Sequence, residues 1–108
     1  MTLLEFEQTV ATVAAMSPLC GIPVVRRLMP TSIVLRVPIV GGRFVEAFFN
    51  EATGTTAYAL IQEGRRVFGA DNTGGRWHLH PFEDPEGHHP WPGEISFAEF
   101  IAEVERHG

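Results

Sequence analysis

Ser32-Ile33-Val34-Leu35-Arg36-Val37-Pro38-Ile39-Val40-Gly41-Gly42-Arg43-Phe44-Val45-Glu46-Ala47-Phe48-Phe49 is the stretch that decides the fold of this chain. Its first half is rich in β-branched residues, and Gly41-Gly42 is a hairpin signal between two strands. If the two glycines form the whole turn, Val40 faces Arg43, Val37 faces Glu46 and Leu35 faces Phe48. One face then carries Ile33, Leu35, Val37, Ile39, Phe44 and Phe48, which makes it the expected core face. Glu46 falls on that face as well, where a lone carboxylate is costly to bury. The opposite face, with Val34, Val40, Val45 and Phe49, is apolar enough to need cover. Pro38 cannot donate to a ladder and places its strand at an edge or a bulge.

Working outward, the turns repeat. Ile22–Met29 is a rough, proline-interrupted strand. Thr55–Ile61, Arg66–Ala70 and Arg76–His80 are further strands, separated by short glycine-bearing turns. Successive strands joined this way make an antiparallel meander. Helices close both ends. Thr2 with Glu5, and Ser96 with Glu99, have capping-box spacing. Leu3, Phe6, Val10, Val13 and Ala14 form one apolar stripe, and Phe97, Phe100, Ile101 and Val104 form another. Residues 81–95 hold four prolines and two glycines and read as a long irregular loop. The expected fold is α+β: one domain over residues 1–108, with an antiparallel meander sheet of four to six strands. Its N- and C-terminal helices pack on one face.

At 108 residues the chain is long enough for its own core, and Cys20 is its only cysteine, so no intrachain disulfide forms. No apolar run approaches the roughly 20 residues that span a bilayer, and no signal peptide is visible at the N-terminus. A cytoplasmic protein is expected, with no membrane contact and no cofactor. The net charge of −5 argues against non-specific nucleic-acid binding. That charge is unevenly spread. All eight basic residues are arginines, and seven of them lie in residues 21–76 against four acids. Residues 77–108 carry seven acids and only Arg106. The middle of the chain is therefore mildly basic, and an arginine face can meet a phosphate or an acidic partner.

Four of the five histidines, His78, His80, His88 and His89, lie within twelve residues. On a strand, His78 and His80 point to the same side. Such a pair can act as general base and acid near neutral pH, or chelate Zn²⁺ if a third ligand joins it. Read structurally, the same rings hydrogen-bond to backbone and close the loop. No firm metal-ligand spacing is present, and no metal is assigned. Arg65-Arg66 and Arg26-Arg27 offer guanidinium forks suited to phosphate; the alternative is solvated surface charge. On a regular strand each pair sends one arginine to each face, unless Arg65 stays in the turn before its strand. Glu46 and Tyr58 are expected on neighbouring strands, Tyr58 donating a hydrogen bond into the region of Glu46 or packing in the core. Phosphate-cradling glycine loops, nucleophile elbows and zinc fingers are absent.

The run Arg66-Val67-Phe68-Gly69-Ala70-Asp71-Asn72, followed by Gly74-Gly75-Arg76-Trp77-His78-Leu79-His80-Pro81-Phe82, resembles small prokaryotic proteins of the TumE type, toxins of toxin–antitoxin modules. Phe44–Asn50 before this run, Pro85–Pro90 with His88 and His89 after it, and a short acidic helix keep the same order. The resemblance spans roughly residues 43–105. It implies a cytoplasmic protein that acts on or near RNA and is neutralised by an antitoxin-like partner. Asp71, Asn72, His78, His80 and His88 are the positions it singles out. On this reading the chain is a metal-independent ribonuclease in which His78 and His80 are general base and acid and Arg65 or Arg66 holds the phosphate. Asp71 and Asn72 also have a plain role, closing the turn by hydrogen bonds to backbone. The alternative is a non-enzymatic interaction protein, a homodimer or the partner of another protein through its sheet.

Overall fold

A computed structural model describes all of residues 1–108. The elements in chain order are α1 (Leu3–Met16), β1 (Val24–Leu28), β2 (Ser32–Ile39), β3 (Arg43–Asn50), β4 (Thr56–Gln62), β5 (Arg65–Asp71), a 3₁₀ turn (Thr73–Gly75), β6 (His78–His80), β7 (His89–Pro90) and α2 (Phe97–Arg106). The strands form one antiparallel sheet in sequence order, from β1 to β7. The expected α+β meander is therefore present, with seven strands; the last is only two residues long. None of the helices is long and apolar enough to cross a membrane.

Both helices start as their sequences dictate. In α1 the Glu5 amide donates to the Thr2 hydroxyl at 3.1 Å and the Thr2 amide to the Glu5 carboxylate at 2.7 Å. In α2 the Ser96–Glu99 box repeats this at 2.8 and 3.1 Å. These bonds hold the Glu5 and Glu99 carboxyls below their ordinary values. Glu51, in the turn after β3, accepts from the Leu3 amide at 3.0 Å and ties the start of α1 to the sheet. Where α1 ends, the Ser17 hydroxyl donates to Glu105 of α2 at 2.6 Å.

The two helices lie on one face of the sheet and share a single core with it. Phe6 stacks on Phe49 with centroids 5.0 Å apart. Phe100 sits between Tyr58 and Phe68, at 5.3 and 4.9 Å. Tyr58 thus points toward α2 and away from Glu46. Its burial, then the nearby charges of Glu94 and Glu99, push its hydroxyl far above the ordinary tyrosine value.

The central hairpin differs by one residue from the two-glycine turn. Ile39 pairs with Arg43, Val37 with Val45 and Leu35 with Ala47, so the connection is Val40-Gly41-Gly42. Both glycines take positive φ, 88° and 78°, a conformation that glycine adopts without the steric cost of a Cβ. A one-residue slip exchanges every side chain between faces. Val45, Ala47 and Phe49 consequently enter the core with Ile33, Leu35, Val37 and Ile39, while Phe44, Glu46 and Phe48 turn to the open face. Burial decides the register: the two-residue alternative puts a carboxylate beneath the helices and leaves Phe49 outside. Glu46 pairs instead with Arg36 at 3.8 Å, both half-exposed. Glu46→Ala is accordingly expected to change unfolding free energy by less than about 1 kcal/mol in urea titration. A loss several times larger would mean that Glu46 is structurally committed.

Candidate functional site

β5 and β6 build the site by pairing Gly69 with His80 and Asp71 with His78. In the pleat, these four residues share the face away from the helices, whereas Phe68, Ala70 and Leu79 face the core. His78 and His80 do share a side, as the spacing requires. The long loop leaves β6 on the helix side, where Phe82 stacks on Phe68 at 4.4 Å and on His107 at 4.0 Å. It then wraps to the open face and brings Pro85, Gly87 and His88 over the two strands.

His80 is the centre of this arrangement. It is 1% exposed. Its Nε2 lies 2.8 Å from the Asp71 Oδ2 and its Nδ1 lies 2.7 Å from the Gly87 carbonyl oxygen. Both ring nitrogens therefore face acceptors, and a neutral ring can donate to only one of them. The other Asp71 oxygen accepts from the Thr73 amide at 3.0 Å. Burial pushes the Asp71 carboxyl upward, but the hydrogen bonds from His80 and Thr73, together with the His80 charge, outweigh it and hold the group below the ordinary carboxylate range. His88 packs edge-on to His80, centroids 4.6 Å apart, and lies 6.0 Å from His78. His78 is half-buried and His88 exposed.

Arg66 joins the same face because of a β-bulge. Leu60 pairs with Phe68 but Ile61 pairs with Arg66, so Val67 is the extra residue. Without the bulge, Arg66 would share the core side with Phe68; with it, the guanidinium crosses the open face. A Cβ on Gly69 would lie 2.9 Å from the Arg66 Cδ, so glycine lets the side chain lie flat over the strand beside His80. Arg66 Nη2 donates to the Pro85 carbonyl at 3.0 Å and pins the loop.

The remaining expected residues fall elsewhere. Arg65 is exposed at the start of β5 opposite Gln62, away from the histidines. Asn72 bonds to backbone, but to that around the start of β4 and not that of its own turn: its Oδ1 accepts from the Thr56 amide at 2.7 Å, and its Nδ2 donates to the Gly54 carbonyl at 3.1 Å. His89 is exposed and pairs with Asp84 at 2.9 Å. Glu46, on β3, is separated from β6 by two intervening strands. No group of three or more His, Cys, Asp or Glu side chains is arranged to hold a metal ion. The structure thus gathers Arg66, Asp71, His78, His80 and His88, and leaves Arg65 and Asn72 outside. No family model, curated protein or solved structure matches the chain.

Chemically, the cluster is one buried imidazole oriented by a carboxylate, an exposed imidazole (His88) against it, a half-buried one (His78) on the same face, and a guanidinium alongside. Accessible imidazoles exchange protons near neutral pH, and a guanidinium fork binds phosphate oxygens.

Proposed function

We propose that this chain is a protein like those of toxin–antitoxin modules, acting on RNA at the open face of its sheet without a metal. The observation that carries the reading is the convergence of His78, His88 and Arg66 around the Asp71–His80 pair. His78 takes a proton from a ribose 2′-hydroxyl, whose oxygen attacks the adjacent phosphorus. The P–O5′ bond breaks, and an imidazolium returns a proton to the leaving oxygen. His88 fits that second role better than His80, whose nitrogens are both engaged; His80 and Asp71 then hold the two outer rings in place. Arg66 steadies the phosphate. A cytoplasmic setting and an antitoxin-like partner belong to the same reading.

Purified protein incubated with mixed RNA in the presence of a chelator is expected to cleave it. His78→Ala and His88→Ala are each expected to slow cleavage by about a hundredfold or more. Absence of cleavage, or cleavage indifferent to both changes, overturns the reading.

One observation favours the non-enzymatic alternative. β1 is an unpaired edge with every residue exposed, and Ile22, Leu28 and Met29 beside or within it are 84%, 66% and 51% exposed. Such an edge offers backbone groups and apolar side chains to another strand, from a second copy or a partner. A solution mass of a single chain would count against self-association.

A further inference from the structure

Arg26 and Arg27 are successive residues on a strand, yet both line one cleft. The cause is a second bulge. Val24 pairs with Arg36 and Val25 with Leu35, but Arg27 pairs with Val34, so Arg26 is the extra residue. Instead of one arginine on each face, the pair meets Arg36 of β2 on the open face, in a cleft of about 340 Å³ completed by Val34 and Glu46. Neither Arg26 nor Arg27 forms an ion pair; the cleft's single contact of that kind is Arg36 with Glu46, at 3.8 Å. The Arg36 guanidinium lies 3.9 Å over the Phe44 ring, and its Nε is buried without a hydrogen-bond partner. Three guanidinium groups against one carboxylate, one of them pre-oriented by an aromatic ring and incompletely bonded, form a site in want of an anion.

We infer that the Arg26–Arg27–Arg36 cleft binds a phosphate of a single-stranded nucleic-acid backbone, at a distance from the histidine cluster. The choice of a nucleic acid rests on the RNA reading above. The cleft and the cluster lie on the same face. β2 and β5 are three strands apart, which is about 14 Å at the usual strand spacing. That is a span of a few nucleotides, and the half-buried Phe48 ring between the two sites is a surface on which a base can stack. The cleft then holds the strand while Arg66 and the histidines meet a phosphate further along.

The test uses a short, fluorescently labelled 2′-O-methyl oligonucleotide, which lacks the attacking hydroxyl and therefore reports binding without cleavage. Anisotropy is read as a function of salt. The wild-type chain should bind. The exposed double change Arg26→Gln with Arg27→Gln should weaken binding at least about tenfold and flatten the plot of log affinity against log salt by about 1.4, for two lost phosphate contacts on a single strand. Glu46→Gln, which removes the one acid, should tighten binding, and Arg65→Gln should leave it unchanged. Poly-glutamate should not displace the oligonucleotide. Wild-type binding with no loss in the double variant overturns the cleft, as does equal displacement by poly-glutamate or a wild-type chain that does not bind. Arginine-dependent binding without cleavage of ordinary RNA upholds the cleft and overturns only the nuclease reading.

Discussion

His80→Ala is expected to lower the unfolding free energy by about 2–4 kcal/mol, and the melting temperature by roughly 10–20 °C. The imidazole is 1% exposed and is held at both nitrogens. Removing it leaves the Asp71 oxygen and the Gly87 carbonyl without their partner and opens a void beneath His88. The consequence differs from that of an ordinary histidine deletion. His89→Ala, whose ring pairs with Asp84 at the exposed surface, should be nearly neutral. Equal, small losses for the two variants would show that the buried pair contributes nothing special. The effect also has a pH signature. Because the folded-state carboxyl of Asp71 is lowered, its contribution to stability is complete above the unfolded carboxylate value. It is lost as pH falls through the lower folded value. Urea titrations should therefore show the gap between wild type and Asp71→Asn closing as the medium is acidified below about pH 4.

Phe100→Ala is expected to cost about 3–5 kcal/mol. The ring is buried between Tyr58 and Phe68, joining α2 to both β4 and β5. Its removal takes away both aromatic contacts and leaves a cavity that neither the short helix nor the pleated sheet can close. Since domains of this size are stable by about 5–15 kcal/mol, the variant should sit close to the edge of folding, readable as a large drop in the urea midpoint. Phe44→Ala, on the open face, supplies the comparison: its ring is half-exposed and packs mainly against Arg36. Similar losses at the two positions would contradict the assignment of faces.

Local chemistry made the helices legible, because Thr2, Glu5, Ser96 and Glu99 specify their own starts and the apolar stripes specify the buried sides. The meander was legible for the same reason, its short turns leaving each strand little choice but to return on its neighbour. Register was not. Gly41-Gly42 is compatible with two connections, and what separates them is whether Val45 and Phe49 or Phe44 and Glu46 meet Phe6 and α2, a matter settled by residues far away in sequence. β7 escaped notice because two residues have no period. The site was legible in part: spacing put His78 and His80 on one side and the Arg66–Phe82 run marked the region. Spacing could not reveal that His80 is buried, since the loop that buries it returns only at Gly87. The two bulges carry no local signature either. Alternation alone assigns Arg66 to the core and separates Arg26 from Arg27. In β5 the bulge keeps Phe68 buried while Arg66 reaches the open face. In β1, exposed along its whole length, it brings the two arginines into one cleft.

The strictly sequential strand order has a consequence in time. Every ladder joins strands adjacent in the chain, so each hairpin can zip from its own turn without waiting for a distant segment, and closure of short loops is fast. The longest-range closure is the meeting of α1 with α2, separated by some 80 residues and sealed by Ser17 and Glu105. Assembly should thus have a rapid phase that builds the ribbon of strands and a slower one in which the two ends clasp it. Substitutions at the clasp should then slow the second phase and leave the first untouched.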